Sequence, residues 1–325
     1  MPTVECIPNF SEGRNTDTIT QIAEAIRSVS KVKLLHQDIG ADVNRTVMTF
    51  AGQPEAVAEA AFRAIKVAQE RIDMRKQTGT HPRIGATDVC PIVPLEGITM
   101  EETVNLARNL ARRVGEELDY PVYCYEEAAF QEERRNLAFI RKGNYEGLTA
   151  RMEAGFLPDF GPHTPRPRTG ASVIGARELM LAVNFNLDTK DVRAAKSIAK
   201  AVRASGGGRH PGAKAIGWFI EEYEFAQVSM NLTRLQQTGL FAAYQAVSEE
   251  AKKRGFRITG TEIIGLAPLS VFKETALQLS HTALPESEQL LYAIEYYGLN
   301  QLSAFIPKER ILEYALEERK QGSFR

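Results

Sequence analysis

Thr87-Asp88-Val89-Cys90-Pro91-Ile92-Val93-Pro94 and Thr261-Glu262-Ile263-Ile264-Gly265-Leu266-Ala267-Pro268 share one outline: a threonine, a carboxylate, an apolar run and a closing proline. Short apolar runs bounded by turn residues read as buried strands. Working outward from them, both halves of the chain follow the same order. The first reads as a strand over 4–10, a helix over 17–30, a hairpin of 32–38 and 44–52, a helix from Pro54 to about residue 76, the strand 86–93, and a helix opened by the capping pair Thr99 and Glu102. The second reads as a strand over 179–187, a helix after Asp188, a hairpin of 213–220 and 224–232, a helix over 238–254, the strand 257–266 and a helix over 268–279. Identity between the halves is low, so the repeat is one of topology. The expected fold is α/β of the α+β type. It has two topologically similar subdomains, 1–178 and 179–325, each a mixed sheet with helices on its outer face. The bare sheet faces are expected to meet across a cleft, the natural place for a ligand.

The 325 residues include 40 Lys and Arg against 41 Asp and Glu, for a net charge of −1, with 43% hydrophobic and 25% charged residues. That is the make-up of a globular protein with ample core. So even a balance gives no electrostatic case for nucleic acid. No apolar run approaches the roughly 20 residues of a membrane span. The start, Met1-Pro2-Thr3-Val4-Glu5-Cys6, lacks the basic and apolar regions of a signal peptide. Cys6, Cys90 and Cys124 are odd in number and unclustered, which suits reduced, buried thiols in a cytoplasmic protein.

Just before the first of the two strands stands Gly79-Thr80-His81-Pro82-Arg83-Ile84-Gly85-Ala86. With Asp88 it sets an imidazole, a guanidinium and a carboxylate within eight residues. Pro82 keeps His81 extended, and Gly79 and Gly85 allow tight backbone on either side. A histidine on a stiff loop at the mouth of a strand is placed for chemistry. Asp88 reads equally as a second acid or a strand-end cap.

Residues 157–172 change character. Pro158, Gly161, Pro162, Pro165, Pro167 and Gly170 exclude regular structure, and His163, Arg166 and Arg168 make the stretch basic. It is either a plain linker or a binding segment across the junction of the halves. Ser205-Gly206-Gly207-Gly208-Arg209 lacks the strand and helix that flank a phosphate-cradling loop. Glu132, Glu133, Arg134 and Arg135 read as a solvated face. His36, His210 and His281 are not spaced as metal ligands, and no Cys/His/Glu cluster appears, so no metal is expected.

Val4-Glu5-Cys6-Ile7-Pro8-Asn9-Phe10-Ser11-Glu12-Gly13-Arg14, Asn44-Arg45-Thr46-Val47-Met48-Thr49-Phe50 and His81-Pro82-Arg83 through Pro94 resemble the formiminotransferase domain of formiminotransferase-cyclodeaminases. Pro158-Asp159-Phe160-Gly161-Pro162, Gly175-Ala176-Arg177, Gly217-Trp218 and Pro307-Lys308-Glu309-Arg310-Ile311 extend the match in order over nearly the whole chain. A cyclodeaminase half has no room before the chain ends, so a stand-alone transferase is expected. A homodimer and a separate docking cyclodeaminase are left open as partners. The resemblance implies facing α/β subdomains with folate between them. It also implies transfer of the formimino group from N-formimino-L-glutamate to N5 of tetrahydrofolate, a co-substrate, in histidine degradation. Carried over by context, the catalytic histidine is His81, and the aspartate after Leu34-Leu35 is Asp38. The folate-binding run is Gly161, Pro162, His163, Thr164, Pro165, Arg166, Pro167, Arg168, Thr169 and Gly170. Its Pro165-Arg166-Pro167-Arg168 is more basic than vertebrate versions.

This transfer needs a group that takes a proton from N5 and gives one to the departing glutamate nitrogen. An imidazole does both near neutral pH. His81 is the expected shuttle, with Asp38 orienting it or balancing the cationic amidine. Asp38 also reads as a turn residue before Gly40. Both substrates are anionic, and arginine forks suit carboxylates. Asn44, Arg45 and Arg83 are expected at the amino-acid substrate, though Arg45 also suits a structural pair with Asp42 or Asp38. Arg166, Arg168, Arg209 and Lys214 are candidates for the folate tail. Two alternatives stand: a folate-binding protein without turnover, and transfer of a formyl group.

Overall fold

In a computed structural model, residues 1–206, 210–279 and 283–321 are described. Gly207, Gly208, Arg209 and His281, considered above, lie outside them. The chain divides into two compact units, Met1–Arg177 and Glu178–Arg325.

The first unit runs β1 (Thr3–Cys6), β2 (Asn9–Phe10), α1 (Thr16–Arg27), β3 (Val32–Gly40), β4 (Arg45–Gly52), α2 (Pro54–Arg71), β5 (Thr87–Glu96), α3 (Met100–Glu117), β6 (Val122–Glu126), α4 (Leu137–Ile140), α5 (Asn144–Glu153) and β7 (Ser172–Ala176). The strand expected over 4–10 is broken at Ile7-Pro8, since proline brings no N–H to a ladder. Both pieces still pair with β4 and β5. β3 flanks β4 antiparallel, while β7 lies parallel to both β5 and β6. Helix starts follow their local signals. Asn15 accepts from the Thr18 N–H at 3.0 Å, Pro54 opens α2, and Thr99 and Glu102 form the capping box of α3.

Met48 and Phe50 of β4 join Val4, Cys6 and Phe10 against Ile22, Ile26, Ile65 and Val114 in the main core. Burying side chains of this size contributes about 1.5–3 kcal/mol each, which fixes the register of β4. The same pleat sends Arg45, Val47 and Thr49 to the opposite face, with Asp38 and His36 across from Val47 and Thr49 on β3. A second core, with Ile84, Val89, Tyr123, Tyr125 and Val173, packs there against Ile140 of α4 and Leu148 and Met152 of α5.

The second unit runs β8 (Leu181–Leu187), α6 (Val192–Val202), β9 (Ala213–Ile220), β10 (Phe225–Leu232), α7 (Leu240–Lys252), β11 (Ile258–Ile264), α8 (Leu269–Gln278), α9 (Glu286–Tyr297), α10 (Pro307–Arg310) and α11 (Leu312–Gln321). Its antiparallel sheet has the order β11-β8-β10-β9. In the first unit β5-β1-β4-β3 has the same order and the same helix placement. This split β-α-β repeat bears out the topology read from the sequence. Leu181, Val183, Phe185 and Leu187 of β8 face the helices. Of the alternate residues Asn184 and Asn186 are polar, with Gln227 donating to Asn186 at 2.8 Å and accepting from the Trp218 indole at 2.8 Å. Among the described residues no helix is long and apolar enough to cross a membrane.

Candidate active site

His81 sits half-buried in the loop between α2 and β5. The loop presses against the β3–β4 turn, where a Cβ on Gly79 would meet the Val43 carbonyl oxygen at 2.4 Å. Nδ1 of His81 lies 2.8 Å from the Pro82 carbonyl oxygen. A carbonyl only accepts, so the neutral ring carries its proton on Nδ1 and its lone pair on Nε2.

Beside the ring lies a buried charge cluster. Asp88 is wholly buried at the start of β5. The pairing with β2 skips from Thr87 to Val89, and the bulge leaves Asp88 free of a cross-strand partner. Its carboxylate accepts from the Ile84 N–H at 2.9 Å, from Arg45 Nη2 at 2.7 Å, and from Arg141 through Nη2 and, at 3.3 Å, Nε. Asp88 is therefore the strand-end cap that one reading proposed, and also the shared partner of two guanidiniums. Burial pushes its pKa up, but Arg141 and Arg45 outweigh it and hold it at about 2. Arg45 is 6% exposed, and burial brings it down to about 10 against the pull of Asp88. Its Nε donates to Asn9 Oδ1 at 3.0 Å. For His81, burial and then Arg45 and Arg141 push the imidazole well below the usual histidine value, with Asp88 opposing. The ring is therefore neutral at pH 7.

Arg83 turns the other way. It meets Glu146, in the first turn of α5, through Nη2 at 2.8 Å and Nη1 at 3.3 Å, and donates to the Gln77 carbonyl at 2.8 Å. Its Nε is buried without a partner. Asn44 has positive φ (49°) and is fully engaged. It accepts from the Gly13 N–H at 2.9 Å, and donates to Gln77 and to the Thr78 carbonyl. Asp38 lies 3.1 Å from His36 Nε2. Asp88 is one carboxylate whose charge acts on His81.

Residues 161–170 all belong to the first unit. They form a strap fastened at several points. Arg166 pairs with Asp119 at 2.6 Å and with Thr164 Oγ1 at 2.7 Å. Arg168 closes the end of α2 by donating to the Gln69 carbonyl at 3.0 Å and to that of Glu70 at 2.5 Å. The Pro167 carbonyl accepts from the Tyr145 hydroxyl at 2.6 Å. Gly161 and Gly170 have positive φ. The Thr169 carbonyl accepts from the Ala86 N–H at 2.9 Å, and the Ile84 carbonyl from the Ala171 N–H at 3.0 Å. The end of the strap is thus stitched to the residues that follow His81-Pro82-Arg83.

Sequence reading missed Arg141 and Glu146, which lie just beyond the charged run 132–135. The one signal there is Lys142-Gly143-Asn144, where positive φ at Gly143 and Asn144 makes the turn between α4 and α5. Arg134 was placed on a solvated face, but it is 4% exposed and paired with Asp159. The three thiols are free and buried, and burial raises Cys124 to about 12. A cavity of about 430 Å³ in the second unit is lined by His210, Phe241, Glu249, Glu250 and Glu274. Among the described residues no group of His, Cys, Asp and Glu is arranged to hold a metal ion.

Residues 3–177 match the formiminotransferase domain, N-terminal subdomain, and residues 182–317 match the formiminotransferase domain. A formimidoyltransferase-cyclodeaminase of Dictyostelium discoideum is 43% identical over 326 residues, covering 97% of this chain and 60% of its own length. A glutamate formimidoyltransferase of Streptococcus pyogenes serotype M1 is 42% identical over 274 residues, covering 84% of this chain and 91% of its own. One of Thermoplasma acidophilum is 45% identical over 271 residues, covering 82% and 89%. The chain spans 60% of the length of the two-activity relatives of Dictyostelium discoideum and Rattus norvegicus.

Proposed function

The chain belongs to the formiminotransferase-domain family, and from that premise we propose that it is a glutamate formimidoyltransferase, moving the formimino group of N-formimino-L-glutamate to N5 of tetrahydrofolate in histidine degradation. N5 attacks the formimino carbon while His81 Nε2 takes the N5 proton. The bond from that carbon to the glutamate nitrogen then breaks as the imidazolium returns the proton to the leaving nitrogen. The products are 5-formimino-tetrahydrofolate and glutamate. One observation carries the reading: the His81 imidazole, whose pKa is lowered by burial, Arg45 and Arg141, stands on a loop stitched to the 161–170 strap. Two guanidiniums beside the ring disfavour the imidazolium, so it passes its proton on readily.

In this reading Arg45 and Arg83 meet the carboxylates of the donor, and Arg83 exchanges Glu146 for substrate. Asn44 acts by holding the turn before Arg45 against residues 77–78. Asp38 balances charge on the amidine. Gly161, Pro162, His163, Thr164, Pro165, Arg166, Pro167, Arg168, Thr169 and Gly170 hold folate, with Lys214 a further candidate for its tail. Tetrahydrofolate is the co-substrate, and the proton transfers described need no metal. Relatives named formimidoyltransferase-cyclodeaminase support a cyclodeaminase as the partner that takes up the product. The reading places the enzyme in the cytoplasm, which fractionation tests, and leaves a homodimer open, which sedimentation decides.

The deciding assay follows glutamate release from N-formimino-L-glutamate with tetrahydrofolate. His81→Ala at saturating folate is expected to lower kcat by about 10²–10⁴-fold. Near wild-type kcat would remove the role of His81. Tetrahydrofolate binding without formimino-dependent glutamate release would favour a folate-binding protein. Turnover of a formyl donor alone would favour formyl transfer.

A further inference from the structure

Arg45 and Arg141 share a single carboxylate. Arg45 uses Nη2 on Asp88 and Nε on Asn9. Arg141 uses Nη2 and Nε on Asp88. Among the described residues the Nη1 edges of both make no hydrogen bond. The cluster therefore holds two positive charges against one negative charge, with Arg45 6% and Arg141 13% exposed. An excess cation held this far from water is costly unless an anion meets it. Arg83, by contrast, already has both of its terminal nitrogens on Glu146. Asp88 holds both forks, and Asn9 holds Arg45 as well.

We infer that Arg141 is a specificity-determining residue that, together with Arg45, receives a carboxylate of the amino-acid donor on the unbonded edges of the two guanidiniums. The inference takes the identity of the donor from the function proposed above. A carboxylate on a guanidinium fork makes two parallel charge-assisted bonds, which lysine cannot reproduce.

The test uses the full chain. For Arg141→Met the expected rise in KM for N-formimino-L-glutamate is about 10- to 100-fold, the worth of a charged hydrogen-bonded contact. The KM for tetrahydrofolate should stay within about twofold, as uniform donor binding alone is lost. Arg141→Lys should show a smaller rise. A folded Arg141→Met with unchanged donor KM overturns the inference. In parallel, wild-type protein is labelled with phenylglyoxal and its arginine peptides are read by mass spectrometry. Glutamate should protect Arg141 and leave the exposed Arg193 labelled. Absence of protection overturns the inference even if the methionine variant does not fold. Protection by glutamate in a protein that shows no formimino transfer would uphold the carboxylate site and sink the proposed function instead.

Discussion

As the proposed base, His81 is kept uncharged by its surroundings. Burial, Arg45 and Arg141 lower its pKa, so protonation sets in below about pH 6.5, the usual histidine value. The acid limb of kcat/KM is therefore expected below that pH, and a limb at or above it would contradict the role of the cluster. The same shift affects stability. The folded state binds fewer protons here than the unfolded chain, so stability falls as pH drops below about 6.5. Asp88 has the complementary case. Its pKa is held at about 2 against an ordinary 3.8, so its contribution is complete above the unfolded value and is lost as pH falls through about 2. That shift is worth roughly 2 kcal/mol. Asp88→Asn leaves two guanidiniums facing each other in a buried place, with an expected loss of about 3–5 kcal/mol in urea unfolding. A change under about 1 kcal/mol would mean that the cluster is wetter than its burial indicates.

Among the elements, the strap and the loop after His81 depend on close backbone contact. A Cβ on Gly170 would lie 2.1 Å from the Ile84 carbonyl oxygen, and its φ of 68° is one that side chains resist. A Cβ on Gly85 would lie 2.1 Å from the Ala171 carbonyl oxygen. Gly170→Ala is expected to destabilise the first unit by about 1–3 kcal/mol and to lower turnover, because the loop bearing His81 loses its tie. A variant with wild-type urea midpoint and turnover would show that the strap is not coupled to the site. Elements with a strong local signal were legible in the sequence: the capping box at Thr99, Pro54 at a helix start, the two hairpins. Elements defined by distant partners were not. β7 is five residues long and exists because β5 and β6 flank it in parallel. Residues 157–172 read as a linker or a bridge, because nothing local announces that Arg168 ends on the last turn of α2. His81 was legible from the proline and glycines around it. Arg141 was not, since it meets Asp88 across 53 residues of chain.

At the scale of the whole molecule, one β-α-β-β-α-β pattern is used twice with different results. In each unit a sheet buries one face under helices; the other face carries polar side chains, and in the first unit also a second apolar core under α4 and α5. The first unit adds β6, β7, α4 and α5 beyond β5, and these additions supply Arg141 and the strap. The second unit keeps an amide network of Asn186, Gln227 and Trp218 on the equivalent face. Every residue of the charge cluster, and both hydrophobic cores that support it, lie between Met1 and Arg177. Burial of that extent is enough for a domain of this length to fold by itself. A fragment of residues 1–177 is therefore expected to unfold in urea in one cooperative transition. Its His81 ring should titrate below about 6.5 by NMR, as in the intact chain. A fragment with no cooperative transition would show that the second unit is needed to hold the first together. A cooperative fragment whose His81 titrates at the ordinary value would place the source of the shift outside the Arg45–Asp88–Arg141 cluster.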